Sequence, residues 1–156
     1  MKKSDVDPGF CNNSVLRKAA RRLGQHYDEA LAESGLKATQ QGLLAQVVFL
    51  GEPTMRELAD ALIMDLSAVG HSLQPLVRDG WVDLVPDERD RRAKRVRMTP
   101  GGEKRFMKSM RMWQQAQQRF EAAFGEAKAT ELRAALAYIA SEEFAEILAA
   151  QGYETL

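Results

Sequence analysis

The chain has 156 residues, of which 45% are hydrophobic, and its 22 Lys and Arg balance its 22 Asp and Glu to a formal net charge of zero. This length predicts one domain, or one domain with a dimerisation element. No apolar run reaches transmembrane length, and the first residues do not lead into an apolar signal segment. The single cysteine cannot form an internal disulfide, which fits a reducing compartment. We therefore expect a cytoplasmic protein with no membrane association.

The zero net charge hides a strong segregation of charge along the chain. Residues 78 to 111 hold eleven Lys and Arg against six Asp and Glu, which gives +5. Residues 120 to 156 hold two against seven, which gives −5. A basic segment of this kind favours contact with phosphate, and an acidic tail keeps the other end of the protein away from it.

The first third of the chain is predicted to be helical after a flexible N-terminal arm over residues 1–12. A helix is expected from about Asn13 to Ser34, where apolar residues recur at heptad-like spacing and a glycine follows. Thr39 is the expected N-cap of a second helix that ends at Gly51.

The stretch from residue 54 to residue 80 predicts two short helices that meet at a turn. A capping box from Thr54 to Glu57 begins the first, and Asp65 or Ser67 can cap the second. Pro75 lies inside the second helix and is expected to bend it or to reorient its last turn. The predicted buried stripe of this second helix is Leu66, Val69, Leu73 and either Leu76 or Val77.

The side chains left on the outer face of the second helix are small or polar, as a surface that reads a DNA groove would be. An ordinary solvated helix face is the alternative interpretation. These candidate DNA-binding residues are Ser67, Ala68, His71, Ser72, Gln74 and Arg78.

Two strand candidates with a basic loop between them follow the helix pair. Residues 81–85 and 95–98 favour strands, and the segment from residue 87 to residue 97 holds six cations and three anions. An arginine-rich hairpin tip suits DNA phosphates and the narrow minor groove. Together these elements predict a mainly α (α+β) fold, a winged helix-turn-helix whose DNA-binding lobe covers residues 36–99.

Long helices are expected after the wing. Thr99 caps a helix that reaches about Phe124 and would be roughly 37 Å long, and Gly125 ends it. One further helix is expected over about residues 127–149. Because a small lobe cannot bury so long an apolar stripe, residues 13–35 and 100–156 are predicted to form a dimerisation region in a homodimer; a bundle within one chain is the alternative.

Several short motifs resemble the MarR family of bacterial winged-helix regulators. They are Leu58-Ala59, the Leu-Val-Arg-Asp-Gly-Trp-Val segment over 76–82, Asp87-x-Arg89-Asp90-Arg91-Arg92, and Met98-Thr99-x-x-Gly102. The resemblance implies an obligate homodimer on a near-palindromic DNA operator, usually a repressor released by a small ligand or by oxidation.

The resemblance also implies roles for residues of the wing. Arg91 would enter the minor groove and be held by Asp90, while Arg89 and Arg92 would support the tip or contact phosphate, with Lys94 beside them. The chain departs from the family at 70–71, where many members have Thr-Arg and this chain has Gly-His. The operator sequence therefore cannot be transferred from the family.

The resemblance also implies a binding site for an effector. In the family a pocket lies between the dimerisation helices and the lobe, and a small aromatic or acyl-type ligand is expected there. Each candidate can equally be a core or surface residue. The candidate ligand-binding residues are Arg22, His26, Tyr27, Met110 and Trp113.

A cysteine-based switch is the second hypothesis for signal detection. Cys11 comes just before the first helix, as in relatives that sense organic hydroperoxides, and a helix N-terminus can lower a thiol pKa. The spacing of sixteen residues from Cys11 to Tyr27 matches those relatives only loosely. A small thiol without a redox role is the alternative.

Enzymatic activity is not expected. His26 and His71 are the only histidines and lie on different predicted helices, without metal-ligand spacing to a third residue, and no phosphate-binding glycine loop is present. We predict no catalytic residues, no metal and no cofactor. A winged helix that binds protein rather than DNA is a third possibility, which the Arg91-Arg92 tip disfavours.

Overall fold

The computed structural model describes residues 7–152 of the chain. Short 3-10 turns at Pro8–Phe10 and Ala32–Ser34 flank the first helix. The helices are α1 (Asn12–Leu31), α2 (Ala38–Leu50), α3 (Met55–Leu62), α4 (Leu66–Arg78), α5 (Pro100–Phe124), α6 (Glu126–Ile139) and α7 (Glu142–Ala150), and the strands are β1 (Val82–Pro86) and β2 (Lys94–Met98).

The two strands form an antiparallel wing that immediately follows α4. Val82 pairs with Met98 at the base, and Pro86 pairs with Lys94 near the tip. Outside the wing, the described residues are mainly helical. The predicted mainly α winged helix-turn-helix fold is therefore confirmed.

The chain divides into two compact units, the first ending at Ala116 and the second beginning at Gln117. The core of the first unit is aliphatic and joins α2, α3, α4, both strands and the start of α5. Its fully buried members are Leu44, Leu58, Val69, Leu76, Val82 and Val96. This core holds the helix pair and the wing together as one body.

The start of α3 follows the prediction, and the start of α2 does not. Thr54 accepts from the backbone N–H of Glu57 at 3.2 Å, and the Glu57 carboxylate accepts from the Thr54 N–H at 2.7 Å. Thr39 does not cap α2, which begins at Ala38. The reason is a carboxylate from α1: Asp28 accepts from the Ala38 N–H at 2.7 Å and satisfies the helix end.

Helix α4 begins after Asp65, whose side chain accepts from the Ala68 N–H at 2.7 Å. The helix continues through Pro75 to Arg78 as a single element. The predicted buried stripe is wrong at one end: Leu66 is 42% exposed because it lies in the first turn, ahead of the packed part of the helix.

Helix α5 begins where the wing ends, and Thr99 makes the connection. Its hydroxyl donates to the Gly80 carbonyl at 2.7 Å and accepts from the Gly102 N–H at 3.0 Å. The Thr99 N–H donates to the Trp81 carbonyl at 3.1 Å. One threonine thereby joins the end of α4, the first residue of the wing hairpin and the first turn of α5.

The second unit contains two helices where the sequence predicted one over about 127–149. Ser141 separates α6 from α7, because its hydroxyl donates to the Tyr138 carbonyl at 2.7 Å and accepts from the Phe144 N–H at 3.1 Å. The prediction that Gly125 ends α5 is confirmed, and this glycine has a φ of 95°.

Residues 1–6 of the predicted N-terminal arm lie outside the described residues, and residues 8–10 of that arm form a 3-10 turn. Across residues 7–152, no helix combines the length and the apolar character needed to cross a lipid bilayer.

Candidate nucleic-acid interface

The outer face of α4 presents the side chains that the sequence assigned to it. Val69, Leu73 and Leu76 turn into the core and fix which side of the helix faces outward. Arg78 pairs with its neighbour Asp79 at 3.0 Å, in an exposed contact that solvent weakens. Ala68 is half-buried, while Ser67, His71, Ser72, Gln74 and Arg78 are exposed.

The tip of the wing is organised by Asp87. One oxygen of its carboxylate accepts from the backbone N–H groups of Arg89 and Asp90, both at 2.8 Å, and the other accepts from Nε of Arg95. These backbone hydrogen bonds, from Asp90 first and then Arg89, together with Arg95, lower the pKa of Asp87. Asp87 is itself buried, at 5% exposure, so the tip is built around a charged anchor.

Asp90 does not have the role that the family resemblance implied for it. Its carboxylate accepts from the backbone N–H of Arg92 at 3.0 Å, and within residues 7–152 no ion pair joins it to Arg91. The reason is the tight turn at the tip, in which the short Asp90 side chain bonds to the backbone two residues ahead. Asp90 shapes the loop through this hydrogen bond, and Arg91 beside it is exposed.

The six cations of the wing fall into two groups. Arg95 donates to the Glu52 carbonyl at 2.7 Å as well as to Asp87, and Arg97 pairs with the Glu52 carboxylate at 2.9 Å. These two arginines therefore tie the wing to the turn before α3. The remaining four side chains are exposed and form no ion pair within the described part of the chain; they are Arg89, Arg91, Arg92 and Lys94.

A cleft of about 510 Å³ connects α4 to the wing tip. Leu66 of α4 lines one side, and Arg92 and Lys94 of the wing line the other, with Arg56 of α3 also on its wall. The cleft thus brings the first turn of α4 and the start of α3 near two cations of the wing. The surface of α4 and the wing matches, in its chemistry, what a DNA duplex offers: base edges to a polar helix and phosphates to the arginines and the lysine.

The part of the chain that carries this surface is similar to known proteins. The profile of the MarR family matches residues 34–93, from the end of α1 to the wing tip. The transcriptional regulator MosR of M. tuberculosis, solved in complex with DNA, is 33% identical with a TM-score of 0.69, over 81% of this chain and 97% of that chain. The chain belongs to the MarR family.

Two further MarR proteins are similar over different extents. The multiple antibiotic resistance protein MarR of Salmonella typhimurium is 33% identical over 88 residues, which are 56% of this chain and 59% of that protein. The matched region therefore spans less than two thirds of this relative. A mutant MarR of E. coli, solved with operator DNA, has a TM-score of 0.74 at 23% identity, over 81% of this chain and 91% of its own, and shows the shared fold.

The five candidate ligand residues of this MarR chain lie on α1 and α5. His26 lies 3.2 Å from the Ala116 carbonyl through Nε2, and its ring meets Tyr27 edge-on at 5.3 Å between centroids. The Met110 sulfur accepts from the amide of Gln41 at 3.3 Å. Arg22 is exposed, Trp113 is half-buried, and none of the five lines the four cavities found in the winged lobe.

Cys11 is exposed and is the N-cap residue of α1. Hydrogen bonds from the Ser14 side chain and backbone and from the Asn13 backbone lower the pKa of this thiol. Tyr27 lies sixteen residues along the same continuous helix, roughly 24 Å away at 1.5 Å per residue. Tyr27 of the same chain therefore cannot hydrogen-bond the thiol.

The side chains that could hold a metal ion are dispersed: within residues 7–152, no three His, Cys, Asp or Glu side chains are grouped to do so. Sequence reasoning named every exposed cation of the tip but missed Asp87 as its organiser. The available signal was an aspartate at the end of a strand followed by polar loop residues, a pattern typical of a side chain that bonds to the turn ahead of it.

Proposed function

We propose that this chain is a homodimeric, sequence-specific DNA-binding transcriptional regulator that represses its target genes. The observation that carries the proposal is the polar, exposed outer face of α4 together with a wing tip that Asp87 anchors and that exposes four cations. In such a complex α4 lies in the major groove and the wing reaches the adjacent minor groove. MosR, at 33% identity, was solved with DNA, which supports the same partner here.

The dimer rests on apolar side chains that the single chain leaves exposed. On α1 every residue from 12 to 20 is exposed, including Val15 at 48% and Leu16 at 42%. In the second unit, Ile139 is 50% exposed and Leu148 is 59% exposed. A second copy that covers these faces removes apolar surface from water, and its two-fold symmetry matches a near-palindromic operator with half-sites about one helical turn apart.

Selection of duplexes from a random-sequence library, followed by titration at increasing salt, tests the proposal. A regulator with four cations per wing on phosphates must lose affinity steeply as salt rises, because each neutralised phosphate releases counterions. Enrichment of a near-palindromic site by a protein that sediments as a dimer is the expected result. A monomer, or a protein without any enriched site, would contradict it, and salt-insensitive capture of protein partners would favour the protein-binding alternative.

For release from DNA we propose a small aromatic or acyl-type ligand that binds near α1 and α5 and changes the spacing of the two DNA-binding lobes. Thermal melting against aromatic carboxylates, phenols and acyl thioesters tests this, since a ligand that binds the folded state raises the melting temperature. A compound that raises the melting temperature and also releases DNA is the expected outcome. Stabilisation without release of DNA would contradict the regulatory role.

Oxidation of Cys11 is the second candidate for the signal, because the thiol is exposed and hydrogen bonds at the start of α1 lower its pKa. An organic hydroperoxide would oxidise the thiolate to a sulfenic acid and would itself be reduced to an alcohol. Cys11→Ser is the matched test. Loss of peroxide-induced DNA release in this variant is expected, and unchanged release would rule out Cys11.

A further inference from the structure

We propose that His71 reads an exocyclic amine in the major groove, either N6 of adenine or N4 of cytosine, with Nε2 as the hydrogen-bond acceptor. This inference rests on the proposed DNA-binding function and specifies what one position of α4 recognises. It concerns the place where this chain departs from the Thr-Arg pair of many MarR proteins. A donor side chain there suits guanine, whereas an acceptor suits different bases.

The tautomer of His71 follows from a single contact. Nδ1 lies 2.7 Å from the backbone carbonyl of Ser67, one turn earlier on α4. A carbonyl oxygen has no proton to give, so Nδ1 carries the proton and donates it. In the neutral imidazole the other ring nitrogen then has a free lone pair, and Nε2 is an acceptor only.

The same contact restricts the conformation of the His71 side chain before DNA binds. The ring is held against its own helix, so part of its rotamer entropy is lost before DNA arrives. Nε2 has no hydrogen-bond partner within residues 7–152, and the side chain is exposed. Within the described residues, none of the exposed side chains nearby on this face, Ser67, Ser72 and Gln74, donates a hydrogen bond to Nε2.

Only two bases present a hydrogen-bond donor at the edge that faces the major groove. Guanine presents two acceptors at its groove edge and thymine presents an acceptor and a methyl group, whereas adenine N6 and cytosine N4 are the donors. An acceptor at His71 therefore favours adenine or cytosine and disfavours guanine and thymine at the base that it meets. Which of the two amines is read depends on the strand that the ring faces, and the selected site distinguishes them.

The first experiment selects duplexes from a random-sequence library at pH 8 with wild type, His71→Ala and His71→Arg. Wild type is expected to enrich one base pair at one position of each half-site, and the adenine or cytosine of that pair carries the amine that His71 contacts. His71→Ala should lose the preference at that position alone, and His71→Arg should enrich guanine there. Because His71 is exposed, matching thermal melts should show all three proteins folded.

The second experiment removes the amine itself from the selected duplex. Purine replaces adenine, or 2-pyrimidinone replaces cytosine, at the position that depends on His71. Wild type should lose about 2- to 10-fold in affinity, as expected for one hydrogen bond, and His71→Ala should lose nothing further. Equal losses in the two proteins would overturn the proposal, because the amine would then contact something other than His71.

The tautomer can be measured without DNA. Nitrogen-15 shifts of the His71 ring should show a protonated Nδ1 and a bare Nε2 in the neutral ring, and the reverse would overturn the proposal. So would identical selected sites for wild type and His71→Ala. If wild type enriches no duplex at all, the proposed function fails; if it enriches an operator without a position that depends on His71, this inference alone fails.

Discussion

The backbone carbonyl of Trp81 occupies the space into which any side chain at Gly102 would project. A Cβ built on Gly102 falls 2.0 Å from the Trp81 carbonyl oxygen, far inside van der Waals contact. The obstacle is backbone, which is itself bonded to Thr99, so it cannot move aside cheaply. This close approach gives a physical reason for the Thr-x-x-Gly motif after the wing.

We expect Gly102→Ala to destabilise the fold by about 2–3 kcal/mol or more, because the first turn of α5 must move away from the wing. The matched control is Gly101→Ala, whose Cβ would meet only the Thr99 hydroxyl at 3.6 Å and the Gly80 carbonyl oxygen at 3.9 Å. This control should be neutral or stabilising by up to about 1 kcal/mol. Urea denaturation of both variants checks the pair, and equal stabilities would contradict the close packing.

The acid sensitivity of the wing should depend on Asp87. Backbone hydrogen bonds from Asp90 and Arg89 lower the pKa of Asp87 in the folded protein. Its contribution to stability is therefore present above the ordinary aspartate pKa of about 3.9 and is lost as pH falls through the lowered value. Asp87→Asn should lower the urea midpoint at pH 7 and flatten the loss of stability below pH 4.

Glu88→Gln is the control for Asp87→Asn, because the neighbouring Glu88 is exposed and its carboxylate forms no ion pair within the described residues. Glu57 also has a lowered pKa, mainly from the Thr54 backbone, so some acid sensitivity will remain in every variant. A pH profile of Asp87→Asn identical to that of wild type would contradict the role of Asp87 as the anchor of the tip.

Substitutions of two arginines of the wing should have different effects: one should weaken DNA binding and the other should lower the stability of the fold. Arg91 is exposed at the tip, and Arg91→Ala should weaken operator binding by about 1–3 kcal/mol while the melting temperature is unchanged. Arg95 is bonded to Asp87 and to the Glu52 carbonyl, so Arg95→Ala should lower the melting temperature by several degrees. Calorimetric melting and operator titration of both variants check this, and an unchanged operator affinity in Arg91→Ala would remove the tip from the interface.

The contrast between these arginines shows where the sequence was informative. The caps of α3 and α4, the two strands and the outer face of α4 were predictable, because each depends on residues within a few positions of one another. The division of the wing cations was not, since Arg95 and Arg97 meet Glu52, which is 43 and 45 residues away in the chain. A charge count alone treats all six cations as equivalent.

The break between α6 and α7 was missed for a different reason. Apolar residues continue at helical spacing through Ile139 and Phe144, so periodicity alone predicts one helix. The local signal was present in Ser141 followed by Glu142 and Glu143, an N-cap with acidic residues in the first turn. Competing patterns of this kind are decided by packing, which the sequence does not give.

Arg105 should contribute to stability through its planar guanidinium group. Its NH1 atom donates to the Ser34 carbonyl at 2.5 Å, and the guanidinium carbon lies 5.1 Å from the centre of the Trp81 ring. Arg105 therefore links Ser34, which follows α1, to Trp81, which precedes β1. Gly35 leaves room for it: a Cβ there would meet NH1 at 3.1 Å, at a left-handed φ of 75°.

We expect Arg105→Lys to destabilise the fold by about 1 kcal/mol, because an ammonium group cannot both stack on Trp81 and donate in the fixed geometry of the guanidinium. Arg111→Lys, at an exposed position of the same helix, is the matched control and should change stability by less than about 0.5 kcal/mol. Urea denaturation with tryptophan fluorescence as the readout measures both. Equal losses in the two variants would mean that the contact of Arg105 with Trp81 adds nothing to stability.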